Sequence, residues 1–275
     1  MKTIINFTPT GIMPTKEMTP HVPITISEIV DDVHMAYEKG ITIAHLHIKD
    51  KKTGKPSLCA KTYGELISKI RQFAPDLIIC ISLSVRNAEC FEKRVEPLFL
   101  QDNEKPDMAS LTLSSLNFVS GSSVNTPDEI KKMALLMKQQ NILPELEVFD
   151  VGMINYAKYL IDKKILGKTN YFNLLLGNIS SAQQSLLHTG MMINDLPDNS
   201  YWSLAGIGNA SYTSHLLALA SNSGIRVGIE DNIWLDKQRK KLATNSALLN
   251  RVHRLLESNE SQVMPSNKFR ALVMS

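Results

Sequence analysis

Two histidines one residue apart are the first sign of chemistry in this chain, in Ala44-His45-Leu46-His47-Ile48-Lys49-Asp50. Side chains alternate in a strand, so His45 and His47 point one way while Leu46 and Ile48 point the other. Neutral imidazole nitrogens presented side by side suit a borderline cation such as zinc. The same spacing also fits two structural histidines bonded to backbone and carboxylates. A carboxylate for a third ligand lies far along the chain, in Arg226-Val227-Gly228-Ile229-Glu230-Asp231-Asn232. On strand parity Arg226, Gly228 and Glu230 share a face. Two histidines plus Glu230 leave a fourth position for water or substrate, the pattern of catalytic zinc. Asp231 follows at the rim, where a carboxylate can move a proton. The competing reading makes Arg226 and Glu230 an internal ion pair that neutralises buried charge.

Other polar groups fall where they would join such a site. Glu145 and Glu147 share a parity near Phe149-Asp150. One can orient the substrate or hold a histidine by its second nitrogen, and the other can be structural. Ser82 ends an apolar run and offers a hydroxyl, although a lone serine at such a place is usually a turn former. Thr8-Pro9-Thr10-Gly11 is a loop of small polar groups, and Thr10, Ser110, Thr112 and Glu147 form the expected substrate-binding set. The remaining histidines, His21, His34, His188, His215 and His253, fall in helical or loop segments. Barrel amidohydrolases place further histidines on strands five and six, so their absence there disfavours that rival metal class.

Positioning these groups requires a regular scaffold, and the chain alternates short β-rich runs with helix-period segments. Strands are expected at 3–8, 42–48, 77–82, 108–112 (with an extension at 116–119), 143–149, 171–176, 201–205 and 225–229. Helices are expected at 26–38, from about 60, near 89–99, from 127 to about 140, and at about 154–163, 183–192, 211–220 and 244–257. Thr25 with Glu28, and Thr126 with Glu129, are spaced as capping boxes. Eight β-then-α units without a composition break fit an α/β fold of the (β/α)8 barrel type, as one domain over 1–275. The rival doubly wound sheet lacks its GxGxxG after the first strand. In a barrel the active site lies at the carboxyl ends of the strands, where the polar residues above fall.

Composition narrows the partners. The 275 residues are 43% hydrophobic with a formal charge of +3, too small for a dedicated nucleic-acid or membrane-surface binder. Cys59, Cys80 and Cys90 lack CxxC spacing and read as reduced thiols. The longest apolar runs are far shorter than the about 20 residues that span a bilayer, and residues 1–6 do not form a signal peptide. A cytoplasmic enzyme is the expectation.

The ordered set of motifs resembles the β-keto acid cleavage enzyme family across nearly the whole chain. Its pieces include Val22-Pro23-Ile24-Thr25, His45-Leu46-His47, Pro106-Asp107-Met108-Ala109-Ser110-Leu111, Pro144-Glu145-Leu146-Glu147-Val148-Phe149-Asp150, Ala205-Gly206-Ile207-Gly208 and Arg226-Val227-Gly228-Ile229-Glu230-Asp231-Asn232. The resemblance implies zinc on His45, His47 and Glu230, and transfer of an acetyl unit from acetyl-CoA to a β-keto acid. It implies that Asp231, assisted by Arg226 and Ser82, generates the nucleophile, that Glu147 binds substrate, and that the protein is a homo-oligomer, often a tetramer. Departures cluster at the mouth loops: Leu83-Ser84-Val85 for a Thr-Gly-Gly, Ser180-Ser181 for a Gly-Gly, Asn209 for an Arg, and Lys49 for an Arg. Met13 stands where the aminohexanoate-cleaving members bind an amine with a glutamate, which argues against a cationic substrate. Two alternatives remain at this stage: a zinc lyase or aldolase that needs no CoA, and a catalytically silent barrel that binds a small keto acid.

Overall fold

In the computed structural model, which describes residues 2–51, 53–84 and 90–274, eight short parallel strands close into a barrel. They are β1 (Ile5–Phe7), β2 (Ile43–Leu46), β3 (Ile78–Ile81), β4 (Met108–Thr112), β5 (Leu143–Val148), β6 (Asn170–Leu176), β7 (Ser200–Gly206) and β8 (Gly224–Val227). Neighbours around the barrel follow chain order, and β8 closes on β1 through Ile225–Ile5 and Val227–Phe7. The helices between and after them are α1 (Ile26–Lys39), α2 (Ala60–Arg71), α3 (Phe91–Val95), α4 (Pro127–Gln139), α5 (Val151–Asp162), α6 (Leu186–Asp195), α7 (Ala210–Ala220), α8 (Asn245–Ser258) and α9 (Ser266–Val273). The expected (β/α)8 architecture is therefore present.

Local chemistry sets the helix starts. The Glu28 N–H donates to Thr25 Oγ1 at 3.2 Å while the Thr25 N–H donates to the Glu28 carboxylate at 2.9 Å. Thr126 and Glu129 repeat the device at α4, with Pro127 at the first helical position. Each reciprocal pair satisfies two N–H groups that a helix end would otherwise leave open.

Alternation along the strands separates two interiors. Ile5, Phe7, Ala44, Leu46, Ile79, Ile81, Leu146 and Val148 belong to the apolar layer between barrel and helices. The opposite parity points into the barrel, where Asn6 of β1 meets Glu145 of β5 and Tyr171 of β6, strands that are not neighbours. Below that polar layer Ile43, Ile78, Met108 and Phe269 form an apolar floor. Helix α9 supplies Phe269, whose ring meets Tyr171 and Tyr201 edge-on at 5.4 and 5.8 Å.

Several boundaries differ from the sequence expectation. The first strand divides: Lys2–Thr3 pairs with Gln262–Val263, and only Ile5–Phe7 joins the barrel. Past Leu46, the chain leaves the barrel and Ile48–Lys49 forms a ribbon with Pro56–Ser57. Helix α3 is one short turn continued by a 3₁₀ segment, Glu96–Phe99, in which Pro97 removes a backbone donor. Its expected start at Glu89, and Val85 of the altered loop, lie outside the described residues. Helix α6 begins at Leu186 because Ser185 caps it through the His188 N–H. Strand β8 stops at Val227 rather than continuing to residue 229. A side chain at Gly228 would place its Cβ 1.9 Å from the Thr8 carbonyl oxygen, so the backbone turns there against β1. Helix α9 (Ser266–Val273) lies beyond the last expected helix.

Candidate active site

The two histidines reach one point from β2 and the residue after it. His45 is fully buried and His47 nearly so. His45 Nδ1 lies 2.5 Å from Glu145 Oε2, and Glu145 Oε1 accepts from Asn6 Nδ2 at 2.7 Å. A deprotonated Glu145 fixes the proton of His45 on Nδ1 and leaves Nε2 as a lone-pair donor. Burial pushes the Glu145 carboxyl up, but His45 and Arg226 beside it win and hold it at about 2. For His45 burial acts downward, Glu145 and Glu230 act upward, and the net shift is upward.

His45 Nε2 faces His47 Nε2 at 3.3 Å, and Glu230 Oε1 lies 3.2 Å from the latter and 3.8 Å from the former. Glu230 arrives by a turn rather than by strand alternation: its N–H donates to the Thr8 carbonyl at 3.2 Å, just past the sharp bend at Gly228. Gly11, in the left-handed region at φ 69°, is what lets that turn approach, since a Cβ there would lie 2.6 Å from Glu230 Cγ.

Arg226 ties the acids together. Its Nη2 donates to Glu230 Oε1 at 2.6 Å and its Nε to Asp231 Oδ2 at 3.1 Å, with Nη1 3.7 Å from Glu147 Oε1. The ion pair that competed with the ligand reading is thus real, yet it uses the same Glu230 oxygen that meets His47. The guanidinium is buried, and the surrounding carboxylates raise its pKa well above its usual value against the downward effect of burial. Asp231 Oδ2 also accepts from Thr8 Oγ1 at 3.3 Å. Burial raises the Asp231 carboxyl, more than Arg226 lowers it. Glu147 Oε2 accepts from Thr112 Oγ1 at 2.6 Å and from Ser84 Oγ at 3.3 Å.

This donor set fits a divalent cation. Two imidazole nitrogens with their lone pairs turned on each other repel unless a cation lies between them. Glu230 Oε2 is buried with no hydrogen-bond partner among the described residues. Four carboxylates (Glu145, Glu147, Glu230, Asp231) against one guanidinium leave the centre with excess negative charge, which costs heavily in a buried place unless a cation offsets it. A second grouping, His45, Cys80 and Glu145, is less suited. Burial keeps the Cys80 thiol protonated by raising its pKa, and the Glu145 oxygens are already engaged with His45 and Asn6.

A cavity of about 310 Å³ opens above this floor at the carboxyl ends of the strands. Its walls include His47, Thr112, Glu147, Arg226, Glu230 and Asp231. His45 lies beneath. Three expected site residues stand off the cavity wall: Ser82 Oγ accepts from the Ser84 N–H at 3.3 Å, Ser110 Oγ accepts from the Leu83 N–H at 2.9 Å, and Thr10 is fully buried. Ser84 reaches the cavity where Ser82 does not. In the sequence Ser84 stands out only as a departure in a loop and Thr8 only as part of a small polar loop, while Asn6 carries no motif. A polar residue on the inward parity of a strand as apolar as β1 was the available signal. Lys49 was seen only as a replacement; its Nζ donates to the Pro14 carbonyl, and burial brings its pKa to about 8 although Glu230 pulls it up.

A (β/α)8 barrel with a charged, cavity-forming centre at the carboxyl ends of its strands defines the class: an enzyme of barrel architecture. The chain belongs to the beta-keto acid cleavage enzyme family, whose model matches residues 2–274. It is 31% identical over 274 residues to the 3-keto-5-aminohexanoate cleavage enzyme of Fusobacterium nucleatum subsp. nucleatum, covering 99% of this chain and 97% of that one. To the 3-oxoadipate:acetyl-CoA acetyltransferase of Cupriavidus necator it is 33% identical over 277 residues, covering 98% and 94%. Among solved structures, apo ObcA superposes with a TM-score of 0.81 at 20% identity over 92% of this chain. The chain spans 65% of the length of ObcA, and that likeness speaks to the fold alone.

Proposed function

We propose that the protein is a zinc-dependent acyltransferase that converts a β-keto acid and acetyl-CoA into acetoacetate and a new acyl-CoA. The observation that carries the reading is the convergence of His45, His47 and Glu230 beneath a cavity that Arg226, Asp231 and Glu147 also line, in a chain of this family. Those three residues would hold the ion, which when bound supplies Lewis acidity toward the keto oxygen.

The chain's own groups account for the proton and the carbon skeleton. Asp231 removes a proton from the carbon between the keto and carboxyl groups of the substrate. Arg226, on Asp231 Oδ2 through its Nε, fixes that carboxylate in place and offsets the charge that develops. The carbanion attacks the thioester carbonyl of acetyl-CoA, a carbon–carbon bond forms and the CoA thiolate leaves. The thiolate then attacks the original keto carbon, the bond from it to the central carbon breaks, and Asp231 returns the proton. Acetoacetate and acyl-CoA remain. Glu147, held by Thr112 and Ser84, positions the substrate, and Ser82, Ser110 and Thr10 support the loops around it.

CoA dependence is favoured by the loop after β8. Lys237, Arg239, Lys240 and Lys241 are exposed beside the mouth, and Arg239 also lines the cavity. Four cations suit the phosphates of CoA, a charge match that a reaction without CoA does not call for. A homo-oligomer, with a tetramer as the expected form, is supported by α6. It exposes Leu186 (79%), Leu187 (70%) and Met191 (50%), apolar surface that a second copy would cover. No helix among the described residues is long and apolar enough to cross a membrane, in keeping with a cytoplasmic enzyme.

Elemental analysis should find one zinc per chain, lost in His47→Ala. A panel of β-keto acids with acetyl-CoA should yield acetoacetate and acyl-CoA. Bound zinc without acetoacetate from any acid would reject the transferase reading, and turnover indifferent to acetyl-CoA would replace it by a lyase. Light scattering should give a mass above that of one chain.

A further inference from the structure

Above the charged floor the cavity changes character. Its upper wall is built from loops after different strands: Met13 after β1, Leu116 and Phe118 after β4, Phe149 after β5, Ile207 after β7 and Trp234 after β8. Phe118 and Phe149 meet edge-on, with ring centres 5.9 Å apart at 86°, which fixes one side of the wall. Leu116, Phe118 and Ile207 are half-buried, with the apolar layer behind them and the cavity in front. Every carboxylate on the described wall belongs to the floor and is already engaged. Glu147 is held by Thr112 and Ser84, while Glu230 and Asp231 are held by Arg226. Among the described wall residues the cation outside the floor is Arg239, which is exposed and donates through Nε to Asn209 Oδ1 at 2.9 Å, in the loop that carries the lysine cluster.

We propose that the distal end of the substrate is a short, uncharged hydrocarbon chain, received between Met13, Leu116, Phe118, Phe149, Ile207 and Trp234. The proposal rests on the acyl-transfer reading for the identity of the head group, and on the wall for the tail. Short, because a cavity of about 310 Å³ sits at the lower end of the roughly 300–1,000 Å³ usual for small-molecule sites. Uncharged, because an ammonium or carboxylate at the tail would leave water for six apolar side chains, and the neutral polar groups of the described wall beside them are engaged, Ser123 with Asn125 and Asn232 with Trp234. A hydrocarbon tail instead gains from covering apolar side chains that water now meets. Arg239 stands at the rim, exposed to water and with its Nε on Asn209 Oδ1, and on the acyl-transfer reading it belongs to the phosphates of the co-substrate.

Three acids of matched backbone separate the outcomes: 3-oxohexanoate, 3-oxoadipate and 6-amino-3-oxohexanoate. With acetyl-CoA and the zinc-loaded protein, kcat/KM for 3-oxohexanoate should exceed both others by about 100-fold or more, since an unpaired buried charge costs several kcal/mol. Met13→Lys should raise kcat/KM for 3-oxoadipate about tenfold or more and lower it for 3-oxohexanoate, mainly through KM, by supplying a counter-charge at the tail. Preference for either charged acid, with acetoacetate still formed, overturns the apolar tail and leaves the acyl-transfer reading standing. If no acid is turned over, the acyl-transfer reading falls, and calorimetry of the three acids without acetyl-CoA decides the wall. Tightest binding of 3-oxohexanoate supports it, and equal or weaker binding overturns it.

Discussion

Glu145 illustrates how much a single side chain can organise. It receives His45 Nδ1 at 2.5 Å and Asn6 at 2.7 Å, so it holds the ring that in turn aims Nε2 at His47 and Glu230. Glu145→Gln keeps the shape and loses the charge, and should weaken zinc binding about 10–100-fold with little change in fold, read by competition with a chelating dye. His215 sets a different test. Its Nε2–H donates to the Arg226 carbonyl at 3.1 Å, and burial, with Arg251 adding to it, depresses its pKa to about 3 from an ordinary 6.5. A depressed folded-state pKa means that the stability it contributes is complete above pH 6.5 and is lost as pH falls toward 3. Within that window stability should decline by about 1.4 kcal/mol per pH unit from this group alone. Denaturant melts of His215→Gln between pH 4 and 7 should show a shallower slope. At this scale the sequence was informative about residue types and parity, because His45 with His47 and Glu145 with Glu147 do share faces. It was silent about partners such as Asn6 and Ser84, since a side-chain hydrogen bond between strands far apart in the chain leaves no trace in local spacing.

Elements bring those residues to the place where they meet. The turn at Gly228 is the sharpest case: β8 ends, the backbone grazes Thr8 of the first strand's loop, and Glu230 and Asp231 swing onto the floor. Gly228→Ala would drive a methyl group to within 1.9 Å of a backbone oxygen. The turn must then open, and the variant should lose zinc and activity together, measured by metal content and turnover on the folded fraction. A cap far from the site gives the contrasting result. Thr126→Ala removes the acceptor for the Glu129 N–H and should cost about 1 kcal/mol in denaturant unfolding while leaving kcat/KM unchanged. Capping boxes were legible in the sequence because they are made by residues three apart. The end of β8 was not, because what stops it is a contact with residue 8, some two hundred positions away, and parity reasoning alone extended it by two residues.

The whole molecule depends on closing a ring and sealing its bottom. Helix α9 does the sealing, with Phe269 fully buried against Tyr171 and Tyr201 beneath the polar layer. Phe269→Ala should destabilise the protein by about 3–5 kcal/mol, seen as a lower unfolding midpoint. The alternation of apolar runs with helical periods was enough by itself to determine the order of the eight strand–helix units and the barrel class, and the ordered motifs carried the family resemblance, since each of those properties is carried by local pattern along the chain. Which oxygen faces which nitrogen, that Glu230 is shared by Arg226 and the histidines, and that the cavity above them has an apolar wall were decided only by tertiary structure. Those facts are distances between groups separated by up to two hundred residues, set when closure of the ring brings β8 beside β1. Local preferences carry no term for such separations.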